Sequence, residues 1–144
     1  MKHSYLFEQR LWKAKGIYID ENGKKIKTEG VTEVLHKGGN WIIEGIMRLP
    51  MKANKVLELR EIYRVKKLKN KAVETEWVSD NPVTGKLKGK FHFAGNFIVS
   101  TCSSQDRKYS GFESMELVSE NKYVNKGSLF LEGERVSSWE VVLV

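Results

Sequence analysis

The chain has 144 residues, a length at which one hydrophobic core suffices, and its 40% hydrophobic and 30% charged residues exclude disordered and fibrous classes. A single cysteine, Cys102, excludes an intramolecular disulfide and a cysteine-rich metal site. The net charge of +7 is uneven: residues 1–72 hold 17 Lys and Arg against 8 Asp and Glu, and residues 73–144 hold 8 against 10.

The chain starts Met1-Lys2-His3-Ser4-Tyr5-Leu6-Phe7-Glu8, which has no apolar signal core. No window approaches the roughly 18 apolar residues of a spanning helix. A cytoplasmic protein with no membrane span is therefore expected. Ser4 to Trp12 is the one helical candidate, with Leu6, Phe7 and Leu11 on one face behind a serine cap.

From there the pattern has period two. Leu11 to Asp20 reads as a strand and runs into Glu21-Asn22-Gly23, whose Asn-Gly pair signals a tight hairpin because both residues tolerate positive φ. Lys24 to His36 follows, and Lys37-Gly38-Gly39-Asn40 turns the chain into Trp41 to Leu49, which Pro50 ends. Val56 to Lys66 comes next. The lysine-rich tip Lys67-Leu68-Lys69-Asn70-Lys71 leads to Ala72 to Asp80, and Asn81-Pro82-Val83-Thr84-Gly85 has turn chemistry throughout. The remaining strands are Lys86 to Phe93, Asn96 to Ser103, Tyr109 to Glu120, Lys122 to Leu131 and Arg135 to Val144, the last two joined at Glu132-Gly133-Glu134. With no repeat or linker, residues 1–144 read as one domain.

About ten sequential strands leave two edges unless the sheet closes on itself. The expected fold is all-β: an antiparallel up-and-down barrel of eight to ten strands with a short N-terminal helix. Alternation then gives the inward faces. These are Leu57, Leu59, Glu61, Tyr63 and Val65; Val73, Thr75 and Trp77; and Leu87, Gly89, Phe91 and Phe93. Toward the C-terminus both faces carry apolar groups. The sets chosen as inward there are Tyr109, Gly111, Glu113, Met115 and Leu117; Tyr123, Asn125, Gly127, Leu129 and Leu131; and Ser137, Trp139, Val141 and Leu143.

This interior is aromatic and aliphatic with a few polar groups, Glu61, Thr75, Thr101, Glu113 and Asn125, and an isolated buried carboxylate must become neutral or find a partner. Glu61 and Glu113 therefore either sit near a barrel mouth in water or supply the polar contacts of an apolar pocket. The pocket reading takes Trp41, Glu61, Tyr63, Trp77, Glu113, Tyr123, Asn125 and Trp139 as lining residues. Aromatic rings that merely fill a small barrel are the competing reading.

Ten short up-and-down strands in a chain of this length resemble the calycin group of lipocalins and fatty-acid-binding proteins. Lys15-Gly16-Ile17-Tyr18 offers Gly-x-Tyr where lipocalins carry Gly-x-Trp, and Trp12 precedes the glycine instead of following it. Fatty-acid-binding proteins insert a helix-turn-helix after the first strand, where this chain has only Asn22-Gly23. The resemblance implies a lipocalin-like barrel that binds a small, largely apolar molecule, and it assigns no cofactor and no oligomeric state.

No phosphate loop, GxSxG elbow, HExxH or EF-hand pattern occurs. His3, His36 and His92 are scattered, so no metal site is expected. Cys102 stands in Ser100-Thr101-Cys102-Ser103-Ser104 with no cation to activate it, and reads as a buried thiol. Two inward carboxylates could act as acid and base in the manner of a glycosidase, which depends on their separation. The leading function is ligand binding, with an isomerase-like or lyase-like activity within reach of few dedicated residues. The alternative is binding of nucleic acid or another polyanion through the basic first half, the stripe Lys86, Lys88, Lys90 and the cluster Lys66, Lys67, Lys69, Lys71. A third class is a protein-interaction module that presents an edge strand.

Overall fold

Strands that follow one another through short turns pair with their sequence neighbours. The computed structural model, which describes residues 2–144, has that order throughout. The strands are β1 (Arg10–Ile19), β2 (Lys25–Lys37), β3 (Asn40–Pro50), β4 (Val56–Lys66), β5 (Glu74–Asn81), β6 (Gly85–Ala94), β7 (Phe97–Ser104), β8 (Tyr109–Ser119), β9 (Lys122–Leu131) and β10 (Glu134–Leu143). Each pairs antiparallel with the next, and β1 pairs with β10 from Ala14↔Leu143 to Ile19↔Ser138, so the barrel is closed. A reciprocal bond pair between Lys13 and Val144 extends that seam, at 2.8 and 2.9 Å.

Local chemistry sets the corners. At β1–β2 the loop spans Asp20 to Lys24 instead of a two-residue hairpin. Asp20 Oδ1 accepts the N–H groups of Asn22 and Lys24, both at 2.9 Å, and within this loop only Gly23 takes positive φ, at 82°. Near the start of β10 the register shifts between Arg135 and Ser137. The Arg135 guanidinium donates to the carbonyls of Ile19 and Asp20, at 3.4 and 2.8 Å, and ties that corner to the end of β1.

The buried side chains on β8, β9 and β10 include Met115 and Leu117, Tyr123 and Asn125, and Val141 and Leu143, so the odd-numbered residues face in. Two residues depart from their expected inward place: Val73 precedes β5 and is 66% exposed, and Thr101 is exposed because Ile98, Ser100 and Ser104 take the inward face of β7.

The expected N-terminal helix over Ser4 to Trp12 does not form. Residues 5–7 make a turn, Leu6 adopts φ 73°, and Trp12 belongs to β1. A helix this short needs a surface to pack on, whereas this segment gains more by inserting Tyr5 and Leu6, 5% and 0% exposed, into one barrel mouth. The helical turn that does form, a 3-10 turn at Lys52–Asn54, is in the β3–β4 loop.

Tyr123 anchors this plug. Its hydroxyl accepts the N–H groups of Ser4 and Tyr5, at 3.1 and 3.3 Å. The His3 Nε2 faces the Gly95 carbonyl at 2.9 Å and so carries the ring proton, which leaves Nδ1 to accept the Tyr123 hydroxyl proton at 3.0 Å. Around it Tyr5, Trp12 and Tyr123 pack edge to face or tilted, with centroids 5.5 to 6.0 Å apart.

The wall is thinnest at β4. This strand pairs with β3 along its whole length, but with β5 only at Tyr63, Arg64 and Val65. Val56 to Ile62 therefore has a strand on one side only.

Replacing Tyr123 with Phe leaves two buried N–H donors without an acceptor. The expected cost is about 1–3 kcal/mol of unfolding free energy in urea titration, with the strand signal in circular dichroism retained.

Candidate functional site

Alternation delivers two groups of polar side chains to the barrel interior from opposite walls. On the β4–β5 wall, Glu61 and Tyr63 share the inward face, and the Tyr63 hydroxyl donates to Glu61 Oε2. Asn81 Nδ2, from the end of β5, donates to Glu61 Oε1 at 3.3 Å. The Tyr63 ring stands edge-on to Trp77, with centroids 4.9 Å apart. On the wall built by β8, β9 and β10, Glu113 Oε2 accepts Asn125 Nδ2 at 3.2 Å and Trp139 Nε1 at 3.3 Å.

Two tryptophan–glycine pairs hold the indoles in place. Trp77 lies opposite Gly89 on β6, and Trp139 lies opposite Gly127 on β9. A Cβ at either glycine would collide with a ring carbon of its tryptophan, a clash that only a bare backbone avoids. This cross-strand cover compensates for the missing side chain of the glycine. It aims the Trp77 Nε1 at Ser100 Oγ, 3.0 Å away, and the Trp139 Nε1 at Glu113.

The electrostatics follow from what is missing around the two acids. Among the described residues neither has an ion-pair partner, and every salt bridge is on the outer surface. Arg10 is the single Lys or Arg at an inward strand position, and its guanidinium is stacked 4.1 Å over Trp12 at the plugged end. Desolvation, with a contribution from the Glu113 charge, pushes Glu61 up to about 7. Burial also raises Glu113, against the opposing hydrogen bonds from Asn125 and Trp139. Cys102, half-buried on the inward face of β7, is pushed up to about 11 by burial and then by both carboxylates, so its thiol stays protonated and unreactive.

The eight expected lining residues thus separate by depth. Glu61, Tyr63 and Trp77 form one cluster, and Glu113, Asn125 and Trp139 form another. Trp41 and Tyr123 belong to the plug: the Trp41 ring stacks on His36 with centroids 5.5 Å apart and meets Phe7 edge-on, and the Tyr123 hydroxyl is fully engaged. Sequence reasoning missed Asn81, which it placed in a turn. Asn81 does start that turn, its Oδ1 accepting the Val83 and Thr84 N–H groups, while its Nδ2 reaches Glu61. Ser79, on the same inward face as Trp77, has a buried hydroxyl without a partner.

Some of the outward lysines face acids. Lys66 bonds Glu76 at 2.9 Å, Lys90 lies 3.6 Å from Glu74, and Lys86 is registered opposite Asp80. An outer groove of about 490 Å3, floored by Val31, Val142 and Val144, lies on the other side of the sheet from the carboxylates. The three histidines stand apart, and no cluster of metal-ligating side chains occurs among the described residues. No helix among them is long and apolar enough to cross a membrane.

No protein-family model matches this chain, and no curated protein matches it. Among solved structures it is similar to the S-type phycobiliprotein lyase of Guillardia theta, with a TM-score of 0.64 at 5% identity, covering 96% of this chain and 88% of that one. Two others overlap it weakly. They are a putative AttH from Nitrosomonas europaea (TM-score 0.35, 13% identity, 99% of this chain and 54% of that one) and an N-terminal dehydratase from the difficidin assembly line (TM-score 0.28, 9% identity, 96% and 78%). The first shares the fold of this chain.

Glu61 holds a proton in the folded chain that an ordinary glutamate at 4.5 has released. Its stabilising contribution is therefore complete below about pH 4.5 and is lost as pH rises toward 7. A Glu61→Gln variant should show a flatter dependence of unfolding free energy across that window. It should exceed the parent at pH 8 by about 1–3 kcal/mol in urea titrations.

Proposed function

We propose that the barrel interior binds a small, largely apolar molecule that presents N–H or ammonium donors to Glu61 and Glu113. The observation that carries this reading is the pair of inward carboxylates with no cation beside them. Their partners within the chain are neutral donors, which satisfy only part of each acceptor group. A fatty carboxylate would bring a negative charge beside two acids whose own ionisation this space already opposes, whereas a protonated amine or an N–H-rich ring would favour that ionisation and be held by it. The Trp77, Tyr63 and Trp139 rings supply apolar and π surface for such a ligand.

Other features agree. Ser79 offers an unused hydroxyl on the Glu61 wall. Glu61, Tyr63, Glu113 and Trp139 keep part of their surface accessible although they point inward. The N-terminal plug closes one mouth, so entry is from the opposite end, where Leu57 and Leu59 of β4 are 44% and 36% exposed. The phycobiliprotein lyase is a precedent for enzymatic chemistry carried on this architecture. Binding is the function proposed.

The test uses two probes with the same ten-carbon tail, decylamine and decanoate, and reads tryptophan fluorescence. The amine should give saturable, displaceable quenching that tightens about tenfold as pH rises through 7 and Glu61 ionises, while decanoate should bind far more weakly. Glu61→Gln should remove the pH dependence. Equal affinity for both probes, or preference for the acid, would overturn the reading.

A further inference from the structure

An unpaired strand edge normally carries a device that prevents it from recruiting another strand, such as a lysine, a proline or a bulge. The free segment of β4, Val56-Leu57-Glu58-Leu59-Arg60-Glu61-Ile62, has no lysine, proline or bulge, its register with β3 is unbroken from end to end, and its charges are Glu58 and Arg60 on the outward face and Glu61 on the inward one. Its row of backbone groups on the β5 side meets no strand among the described residues, since the β4–β5 ladder begins only at Tyr63. It is also apolar where a solvated edge would be polar. Val56 is 58% exposed and Ile62 51%, and Leu57 and Leu59 stand open on the other face.

We propose that this segment pairs antiparallel with the same segment of a second copy of the chain, with Leu59 opposite Leu59. The charges select this partner and this register. Centred on Leu59, Glu58 falls opposite Arg60 of the second copy and Arg60 opposite its Glu58, while Val56 falls opposite Ile62 and Leu57 opposite Glu61 at both ends. Shifting the register by two residues sets Arg60 against Arg60 or Glu58 against Glu58. Shifting it by one turns the inward face of one copy toward the outward face of the other. The alignment centred on Leu59 is thus the one that pairs the whole free segment and sets its outward charges against opposite charges. Within one copy Glu58 already bonds Arg60 at 3.2 Å and Arg48 at 3.3 Å, and Arg60 is 70% exposed, free to reach a second carboxylate. The pairing continues the sheet of each barrel into the other.

Sedimentation equilibrium across a concentration series tests this directly, with urea midpoints and circular dichroism confirming that each variant folds. The parent chain should reach the dimer mass. Glu58→Arg sets arginine against arginine at both ends and should weaken dimerisation about tenfold. Leu59→Lys should abolish it. The double exchange Glu58→Arg with Arg60→Glu restores opposite charges across the seam and should recover the dimer, although it leaves the contact with Arg48 broken. A parent chain that stays monomeric at every concentration would overturn the proposal. So would a dimer that Glu58→Arg and Leu59→Lys leave unchanged, or a folded double exchange that fails to recover.

Discussion

Closure of the sheet between β1 and β10 is the constraint on which the rest of the molecule depends. Ten strands laid side by side can bury one face only by curling, and once the curl is complete every inward residue shares one enclosed space. The two mouths of that space then have to be dealt with. One is stopped by the segment before β1, held on the Tyr123 hydroxyl, and the plug is possible because β1 runs directly out of that mouth. Among the described residues no terminal segment does the same at the opposite mouth, and the side wall next to it is reduced to a three-residue ladder between β4 and β5.

Inside, polarity is held without ion pairing. Indole, amide and phenol donors serve the carboxylates, and none of them can neutralise charge, so proton uptake becomes the response of the site to its own burial. The tryptophan–glycine pairs are what make this geometry repeatable. Removing a side chain from one strand lets the ring of the next lie against its backbone, and a ring held there has a fixed direction for its N–H. Position in the sheet thereby becomes direction in the barrel interior.

Much of this was legible in the sequence, for a physical reason. Side-chain direction in a strand has period two, so alternation alone placed Glu61 with Tyr63 and Leu59 on the apolar face, and turn residues such as Asn81-Pro82 and Glu132-Gly133 marked where each strand stops. Alternation says nothing about depth along the barrel axis. Trp41 and Tyr123 share the inward direction of Trp77 and Trp139, yet they lie at the plugged end, because depth is fixed by the stagger between neighbouring strands. The plug was illegible for a similar reason: Ser4 to Trp12 has a plausible helical face, and only the presence of an open mouth beside it decides otherwise. The short β4–β5 ladder depends on where β5 ends relative to β4, a relation between two strands that neither carries by itself.

The β1–β10 seam also has a temporal meaning. During synthesis β1 leaves the ribosome long before β10, so it must wait, with one edge paired to β2 and the other bare, until nearly the whole chain has emerged. The hairpins β2–β3 and β8–β9 can form locally and early, but the seam joins residues from opposite ends of the sequence and bears the largest loop-closure cost in the molecule. The N-terminal segment cannot dock before Tyr123 has emerged either, so Leu6 and Tyr5 remain solvated until late. A nascent barrel is therefore a curled open sheet with two sticky edges, and the order of events makes ring closure the slow step and the moment of greatest exposure to misassembly.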